Sequence, residues 1–435
     1  MSQEQQQQIQ PTEQTQPQQQ PEKKEKEKKK KLTKEEYLAL VKEKFKDHNT
    51  LNSIDVQDTP TEYVKVDGVV KGKDLWNNNI IWEFAKGLKP GVDLTRIPFP
   101  VCITQARSFL QNFTDYFEYN NFLTLAANED DPHKRMKYVA QWYLSGFAHA
   151  MKLVRKPYNP VLGEVFRTMW IGENGSKTHY VAEQVSHHPP ISAFYISNRE
   201  DGWVGNGTVT FSVSFNIVHA WAYLNGMQRI KLLKYDEEYY WKFPPTKASG
   251  FYVGPFMMEM GGEVQIKCEK NPFWASFDFK TTSMFSKSNL YKVEGKIMNE
   301  KNVVDTFGGQ YFQNIKMNKD EMFFDAEHPP KCPQRYEVPM EKLWGRESQY
   351  VWKDLTKAVI EGDSENAAKA KNEVEDWQRL ERKDDEANGV KFVPRLFDKV
   401  DDSTYTYKYA DEKPIEKGKE ESYEIAGKIL RRDLN

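Results

Sequence analysis

Two short segments of the chain combine cationic, amide and imidazole side chains with closely spaced prolines. One of them, Glu183–Pro190, reads EQVSHHPP. Its prolines fix φ at about −65° and remove two backbone donors directly after His187 and His188, so both rings stand at the rigid end of a strand. Neighbouring side chains on an extended strand point to opposite sides, so we expect the rings to point apart. This geometry is poor for a shared metal and suits two N–H donors that reach different oxygens of one bulky anion.

The other segment, Lys156–Glu164, reads KPYNPVLGE and has a similar character. Lys156 supplies a cation and Asn159 an amide, while the two prolines stiffen the loop that carries them. Taken alone, each segment is more typical of a surface loop than of a binding site. The residue types therefore nominate an anion site, and the surface-loop alternative stays open at this point.

The composition excludes several classes of function. The 435 residues carry 62 Lys and Arg against 64 Asp and Glu, so no global field favours nucleic acid. Cys102, Cys268 and Cys332 are far apart and form no CxxC pair, which predicts free thiols in a reducing compartment and no zinc site. The N-terminus has no apolar signal segment, and no apolar run approaches the roughly 20 residues that span a bilayer. We expect a cytoplasmic protein without catalytic residues, metal or cofactor.

The chain is expected to contain one large folded domain between a polar N-terminal region and a charged C-terminal tail. Residues 1–34 are rich in Gln, Lys and Glu and bury too little apolar surface to fold. The predicted divisions are a disordered tail at 1–34, a short helix and linker at 35–64, the domain at 65–400, and an irregular tail at 401–435.

Within the domain, the pattern of apolar residues changes from helical to strand-like. Leu75–Leu88 is apolar around most of a helix and ends at Lys89-Pro90-Gly91. Amphipathic helices are predicted near 104–118 and 134–152, and further helices over 346–388, divided at Gly362-Asp363 into 349–361 and 364–388.

Between 163 and 315 the apolar period is close to two, with turn signals such as Gly205-Asn206-Gly207 and Asn225-Gly226. Many short strands without intervening helices predict an antiparallel meander that closes towards a barrel. Its interior could hold a hydrophobic ligand or be a filled core. The predicted strands are Glu164–Ile171, Thr178–Glu183, Ser192–Ser197, Gly207–Phe215, Ala220–Leu224, Gln228–Leu233, Tyr239–Phe243, Val264–Cys268 and Trp274–Phe279.

The two motifs together resemble the hallmarks of the oxysterol-binding protein family, over about 65–400. The resemblance implies a mainly β fold with flanking helices: a large, incompletely closed antiparallel β-barrel around a lipid tunnel, an N-terminal lid helix and a C-terminal helical subdomain. The lid would be 75–91, with Trp76, Ile80, Ile81 and Phe84 covering the tunnel.

The resemblance also implies a site for the headgroup of phosphatidylinositol 4-phosphate at the tunnel entrance. Lys156, Asn159, His187 and His188 would hold its phosphates. Lys371, Glu375 and Arg379 would complete the site, since they match the family's Lys, Glu and Arg at i, i+4 and i+8. Without the resemblance, these three residues are an ordinary solvent-facing salt ladder, and that alternative stays open.

Lipid transfer between membranes is the function that the resemblance implies, with sterol or a phospholipid exchanged for phosphatidylinositol 4-phosphate. We expect a monomer in transient peripheral contact with membranes and no nucleic-acid partner. The alternative is a lipid sensor that binds the same lipids and signals through partners. A hydrolase with Ser186 as nucleophile and His187 as base is disfavoured, because neighbouring residues on a strand diverge and no G-x-S-x-G elbow is present.

Overall fold

The computed structural model describes residues 32–46, 48, 64–66, 100–149, 155–215, 219–250, 257–283 and 286–416. Three short 3₁₀ segments, at Val101–Ile103, Phe113–Phe117 and Met340–Lys342, lie among the helices of this part of the chain. The α-helices are α1 Lys34–Lys44, α2 Phe109–Asn112, α3 Asn121–Ala127, α4 Pro132–His149, α5 Ser348–Val351, α6 Lys353–Glu361 and α7 Ser364–Asn388. None of the described helices is long and apolar enough to cross a bilayer.

Strands make up most of the remaining regular structure. They are β1 Val64–Lys65, β2 Thr104–Ser108, β3 Lys156–Tyr158, β4 Val165–Ile171, β5 Lys177–His187, β6 Pro190–Asn198, β7 Trp203–Phe215, β8 Ala220–Asn225, β9 Gln228–Leu232, β10 Glu237–Trp241, β11 Thr246–Ser249, β12 Met257–Met260, β13 Gly262–Cys268, β14 Phe273–Phe279, β15 Lys292–Asn299, β16 Asn302–Gln310, β17 Asn314–Met317, β18 Glu321–Asp325, β19 Gln334–Glu337, β20 Phe397–Lys399 and β21 Tyr405–Tyr407.

Seventeen of these strands form one antiparallel sheet that does not close on itself. From one edge, hydrogen bonds connect β1, β19, β4, β5, β6, β7, β9, β10 and then β13 to β18 in sequence. Strands β8, β11 and β12 branch from β7. Among the described strands, the edges β1 and β18 do not pair with each other. The predicted fold class, an incompletely closed antiparallel barrel with flanking helices, is confirmed.

The sheet extends beyond the predicted limits of 163 and 315. After residue 315 it also includes β18 and β19, and before residue 163 it also includes β1, whose Val64 pairs with Glu337 of β19. Two physical features explain why these strands were not predicted from the sequence. They are short, and the turn between β17 and β18 uses Asn318 and Lys319 with positive φ instead of glycine.

Helices fill much of the space inside the curved sheet. Pro132 begins α4, after Asp131 whose side chain accepts the backbone N–H of His133 at 2.9 Å. Met136, Val139, Ala140, Tyr143, Leu144 and Phe147 of this helix are buried, and they share one core with α3 and the inward faces of the strands. The filled-core alternative therefore holds for a large part of the interior.

The prediction of a helix near 104–118 is wrong for its first part, because residues 104–108 form a strand. Thr104 pairs with Lys156 and Ser108 with Tyr158 in a parallel β2–β3 ladder. A buried ion pair between Arg107 and Asp115, with Nη1–Oδ1 at 2.8 Å, fixes the turn that follows. Tertiary pairing with the first motif thus overrides the helical pattern of residues 104–108.

A second core covers the outer face of β4 to β7, and it corrects the prediction of an irregular tail from 401. The hairpin β20–β21 packs there, and the rings of Tyr195 and Tyr407 stack at 4.5 Å. Strand β5 is consequently buried on both faces, with Tyr180 and Ala182 in the first core and Val181 and Val185 in the second.

A third core joins α1 to the helices α5, α6 and α7 beside the first motif. A capping box of Thr33 and Glu36 starts α1, and its Phe45 stacks on Trp377 of α7 at 5.0 Å. Gly362 in the left-handed region ends α6, and Asp363 caps α7. The packed region therefore begins before residue 65, because α1 buries its apolar face against α7.

Candidate functional site

All seven predicted site residues line one cavity of about 540 Å³. They come from three separate segments of the chain: the first motif, the end of β5 with the turn after it, and one face of α7. Polar residues that the sequence reasoning missed also line it, namely Thr104, Gln378, Glu381, Arg382 and Asp385. Extending the Lys371 row by helical spacing to i+7, i+11 and i+14 would have found three of these.

The first motif is fixed in place by its own last residue, Glu164, which is fully buried. Its carboxylate accepts hydrogen bonds from Val161 N and Trp352 Nε1, both at 2.9 Å, from Ser348 Oγ at 2.6 Å, and from Ser108 Oγ. Burial raises the pKa of Glu164, although these four donors oppose the shift. The loop therefore presents Lys156 and Asn159 from a rigid base.

The two histidines lie on the same side of the chain, contrary to the prediction that their rings point apart. His187 is the last residue of β5, where it pairs with Pro190, and His188 occupies the turn between β5 and β6. The ring centroids are 4.8 Å apart with planes at 74°. The prediction is wrong because the strand ends between the two residues, so the alternation of an extended chain does not continue.

The environment of the His187 imidazole favours its neutral form. Burial is the main cause, and His188 adds to it, lowering the pKa of His187 to about 4. The ring donates to the Pro160 carbonyl, while its buried Nδ1 has no hydrogen-bond partner among the described residues. Nδ1 can donate to an anion only when the ring is protonated, so an anion bound there would raise the pKa of His187.

The face of α7 that lines the cavity is a row of ion pairs. Glu375 bridges Lys371 at 3.0 Å and Arg379 at 3.2 Å, and Arg379 also contacts Asp376 at 2.6 Å. The neighbouring stripe of Ala367, Ala370, Val374 and Trp377 is buried and holds the helix down. The row is thus a salt ladder and a wall of the cavity at the same time.

Cations from different elements lie close together in this cavity. Burial, followed by repulsion from Lys371, lowers the pKa of Lys156 to about 8. Arg379 and Arg382 are further cations in the lining. One lining carboxylate, Glu381, is bound by Arg346, which lowers the negative charge available in the cavity. The arrangement favours an anion with several oxygens.

A second cavity of about 180 Å³ shares Lys156–Asn159 with the first and has a mostly apolar lining, with a polar side that includes Asp115 and Arg155. Its walls come from inside the sheet and include Phe109, Phe211, Leu224, Met258, Met260 and Phe312. A molecule with a charged head and an apolar body would find both environments on the two sides of the first motif. The predicted lid, with Trp76, Ile80, Ile81 and Phe84, lies outside the described residues, so its role stays a prediction.

Comparison with known proteins gives matches over most of the chain. A family model described as oxysterol-binding protein matches residues 80–357. Oxysterol-binding protein-related protein 5 of Mus musculus is 37% identical over 349 residues, covering 78% of this chain and 40% of that protein. Oxysterol-binding protein 4 of Dictyostelium discoideum is 32% identical over 366 residues, covering 81% and 78%. The chain spans about 40% of the length of the first curated relatives it matches.

Solved structures with the same fold include two lipid complexes. The ORD of Osh3 from Saccharomyces cerevisiae, in complex with PI(4)P, matches with a TM-score of 0.65 and 20% identity, covering 86% of this chain and 98% of that one. The ORD of Osh1, in complex with cholesterol, matches with a TM-score of 0.62 and 22% identity, covering 93% and 98%. At these identities the likeness is one of fold.

Proposed function

The chain belongs to the oxysterol-binding protein family, and we propose that it carries one lipid at a time between membranes. The phosphorylated headgroup of phosphatidylinositol 4-phosphate would occupy the larger cavity, and a sterol or a phospholipid would be exchanged for it. One observation carries this proposal: residues from three distant segments line a single cationic cavity that adjoins an apolar one. The structures of the Osh3 ORD in complex with PI(4)P and of the Osh1 ORD in complex with cholesterol agree with it.

The proposed headgroup contacts follow from the chemistry of the lining. Lys156, Lys371 and Arg379 would neutralise the phosphates, and His187 and His188 would donate hydrogen bonds to them. Asn159 would add an amide, and Glu375 would hold the two α7 cations in position through its ion pairs. Ser186 lines neither of the two cavities, which supports binding and transfer over hydrolysis.

An exchange assay between two vesicle populations tests the proposed function. The full chain is mixed with donor vesicles that contain phosphatidylinositol 4-phosphate and acceptor vesicles that contain either sterol or phosphatidylserine. We expect the phosphoinositide to move one way and one of the two other lipids to move the other way, with native mass spectrometry showing one lipid per chain. Binding without net movement would support the sensor alternative, and absence of phosphoinositide binding would contradict the proposal itself.

The lowered pKa of Lys156 predicts that headgroup binding weakens at alkaline pH. A phosphate beside the ammonium favours its charged form, so above pH 8 the complex holds more protons on Lys156 than the protein without ligand does. Affinity for soluble inositol 1,4-bisphosphate should fall by up to about tenfold per pH unit between about pH 8 and 10. Calorimetric titrations across this range measure the effect.

Two variants control the pH experiment. Lys371→Ala removes the repulsion that lowers the pKa of Lys156, so the alkaline loss of affinity should move to higher pH. Lys156→Ala should bind weakly at every pH and lose the alkaline decline. A decline that persists unchanged in Lys156→Ala would show that another group titrates, and the assignment of Lys156 would be wrong.

A further inference from the structure

The loop that follows α7 exposes a compact group of apolar side chains. Val390, Phe392 and Val393 expose 57%, 37% and 70% of their surface, and they lie within four consecutive residues. Single exposed apolar residues are common on protein surfaces, whereas a contiguous group marks a site of interaction. We call residues 390–393 the exit loop of α7.

The exit loop is anchored at both ends, so its apolar residues have fixed positions. Gly389 ends α7 in the left-handed region, and Val390 N donates to the Asp385 carbonyl at 2.9 Å. At the other end, the buried carboxylate of Glu183 accepts the backbone N–H groups of Arg395 and Leu396, each at 2.9 Å. The acidic residue of the second motif therefore holds the loop in place.

The exit loop borders the larger cavity, which we call the headgroup cavity. The Phe392 ring covers Gly163 so closely that a Cβ there would lie 3.0 Å from Phe392 Cε2. Gly163 follows Leu162, which lines the cavity, and Arg382 and Asp385 line it from the last turns of α7, just before the loop. A ligand that enters this cavity from a flat surface would bring that surface against the loop.

The charge around the loop selects among possible partners. Between Asn388 and Phe397 the chain carries Lys391 and Arg395 and no acidic residue. Of the three acids in the last turns of α7, Asp384 pairs with Lys42 at 2.7 Å and Glu386 with Arg382 at 3.7 Å, while Asp385 faces the cavity that Arg379 and Arg382 also line. Apolar side chains flanked by cations fit the interface of a bilayer that contains anionic lipids.

We infer that Val390, Phe392 and Val393 insert into an anionic membrane and thereby hold the headgroup cavity against the membrane surface. This inference rests on the proposed function, because contact between this loop and a membrane matters only if the cavity takes its ligand from that membrane. It goes further in naming the surface that makes the contact and the lipid charge that the contact requires.

The test compares two double variants of the full chain. Val390→Asp with Val393→Asp should lower partitioning onto vesicles of equal parts phosphatidylcholine and phosphatidylserine at least tenfold, and slow lipid transfer with it. Affinity for soluble inositol 1,4-bisphosphate should stay within twofold. The matched control is Val303→Asp with Val304→Asp, a pair exposed at 50% and 40% on β16, away from both cavities, and it should partition like the parent chain.

The outcomes separate this inference from the proposed function. Unchanged partitioning of the loop variant would overturn the inference, as would equal loss of headgroup affinity, which would make the loop part of the cavity wall. Loss of self-association in light scattering, with vesicle binding unchanged, would identify a second copy as the occupant instead. A parent chain that does not bind inositol 1,4-bisphosphate would contradict the proposed function, whatever the vesicles show. If the aspartates lower the melting temperature, Val390→Thr with Val393→Thr should still give a several-fold loss of partitioning.

Discussion

Replacing His187 and His188 together by alanine is expected to weaken binding of the phosphoinositide headgroup at least tenfold. Both rings line the larger cavity, and each can donate one hydrogen bond to a phosphate oxygen. A hydrogen bond to a charged group contributes about 1.5–3 kcal/mol, but the cost of protonating His187, whose pKa is lowered to about 4, offsets its share. Since about 1.4 kcal/mol corresponds to tenfold, the His188 contact alone accounts for a loss of this size.

Calorimetric titration with inositol 1,4-bisphosphate measures this loss, and binding of a neutral lipid provides the contrast. Neutral lipid binding should be nearly unchanged, because the histidines line the larger, cationic cavity and do not line the smaller one. His328→Ala, whose side chain is 86% exposed and lies outside both cavities, is the matched control. Equal loss of both ligands would mean that the pair maintains the fold, and its role in headgroup binding would be wrong.

The single variants should differ in their proton linkage. Burial lowers the pKa of His187 to about 4, so the ring is neutral at pH 7 without a bound anion, and a phosphate at Nδ1 requires the protonated ring. Binding should therefore take up a proton at pH 7, which calorimetry in buffers of different ionisation enthalpy detects. The uptake should disappear in His187→Ala and persist in His188→Ala. Equal uptake in both variants would place the proton elsewhere.

The sequence predicted the local features of the site better than its assembly. Prolines and the residue types of the two motifs limit local geometry, so Lys156, Asn159, His187 and His188 could be nominated from the residues themselves. No spacing brings α7 to the same cavity, because its position depends on long-range contacts such as the stacking of Phe45 on Trp377. That part of the prediction came from the family resemblance alone.

One error in the fold prediction arose because glycine can be selected by packing between strands as well as by a turn. Gly205-Asn206-Gly207 has the composition of a turn, yet it lies inside β7. A Cβ at Gly207 would lie 1.8 Å from Gln228 Oε1 of β9 and 2.7 Å from the buried Phe194 ring of β6, so close packing favours glycine there. Asn225-Gly226, by contrast, is a true turn with φ of 132° at the glycine. One sequence pattern thus has two physical causes, and only the neighbouring strand distinguishes them.

Glu164→Ala is expected to lower the free energy of unfolding by about 3–5 kcal/mol. The change leaves four donors without their acceptor in a fully buried site, on Ser108, Val161, Ser348 and Trp352. An unsatisfied buried donor costs about 1–3 kcal/mol, and partial entry of water keeps the total below the sum. Urea unfolding of the variant and the parent chain measures the difference.

Two further variants test whether the loss of stability comes from the buried acceptor. They are Glu164→Gln and the surface control Glu361→Ala. Glutamine keeps one acceptor oxygen but turns an N–H₂ group towards some of the donors, so it should lose roughly half as much stability as alanine. Glu361, exposed at the end of α6, should change stability by no more than about 0.5 kcal/mol. Headgroup binding, measured well below the urea midpoint, should also fall in Glu164→Ala, because Lys156 and Asn159 are on the loop that this carboxylate holds. Normal binding in a destabilised variant would show that the loop keeps its shape without Glu164, and that the buried carboxylate supports the fold but not the site.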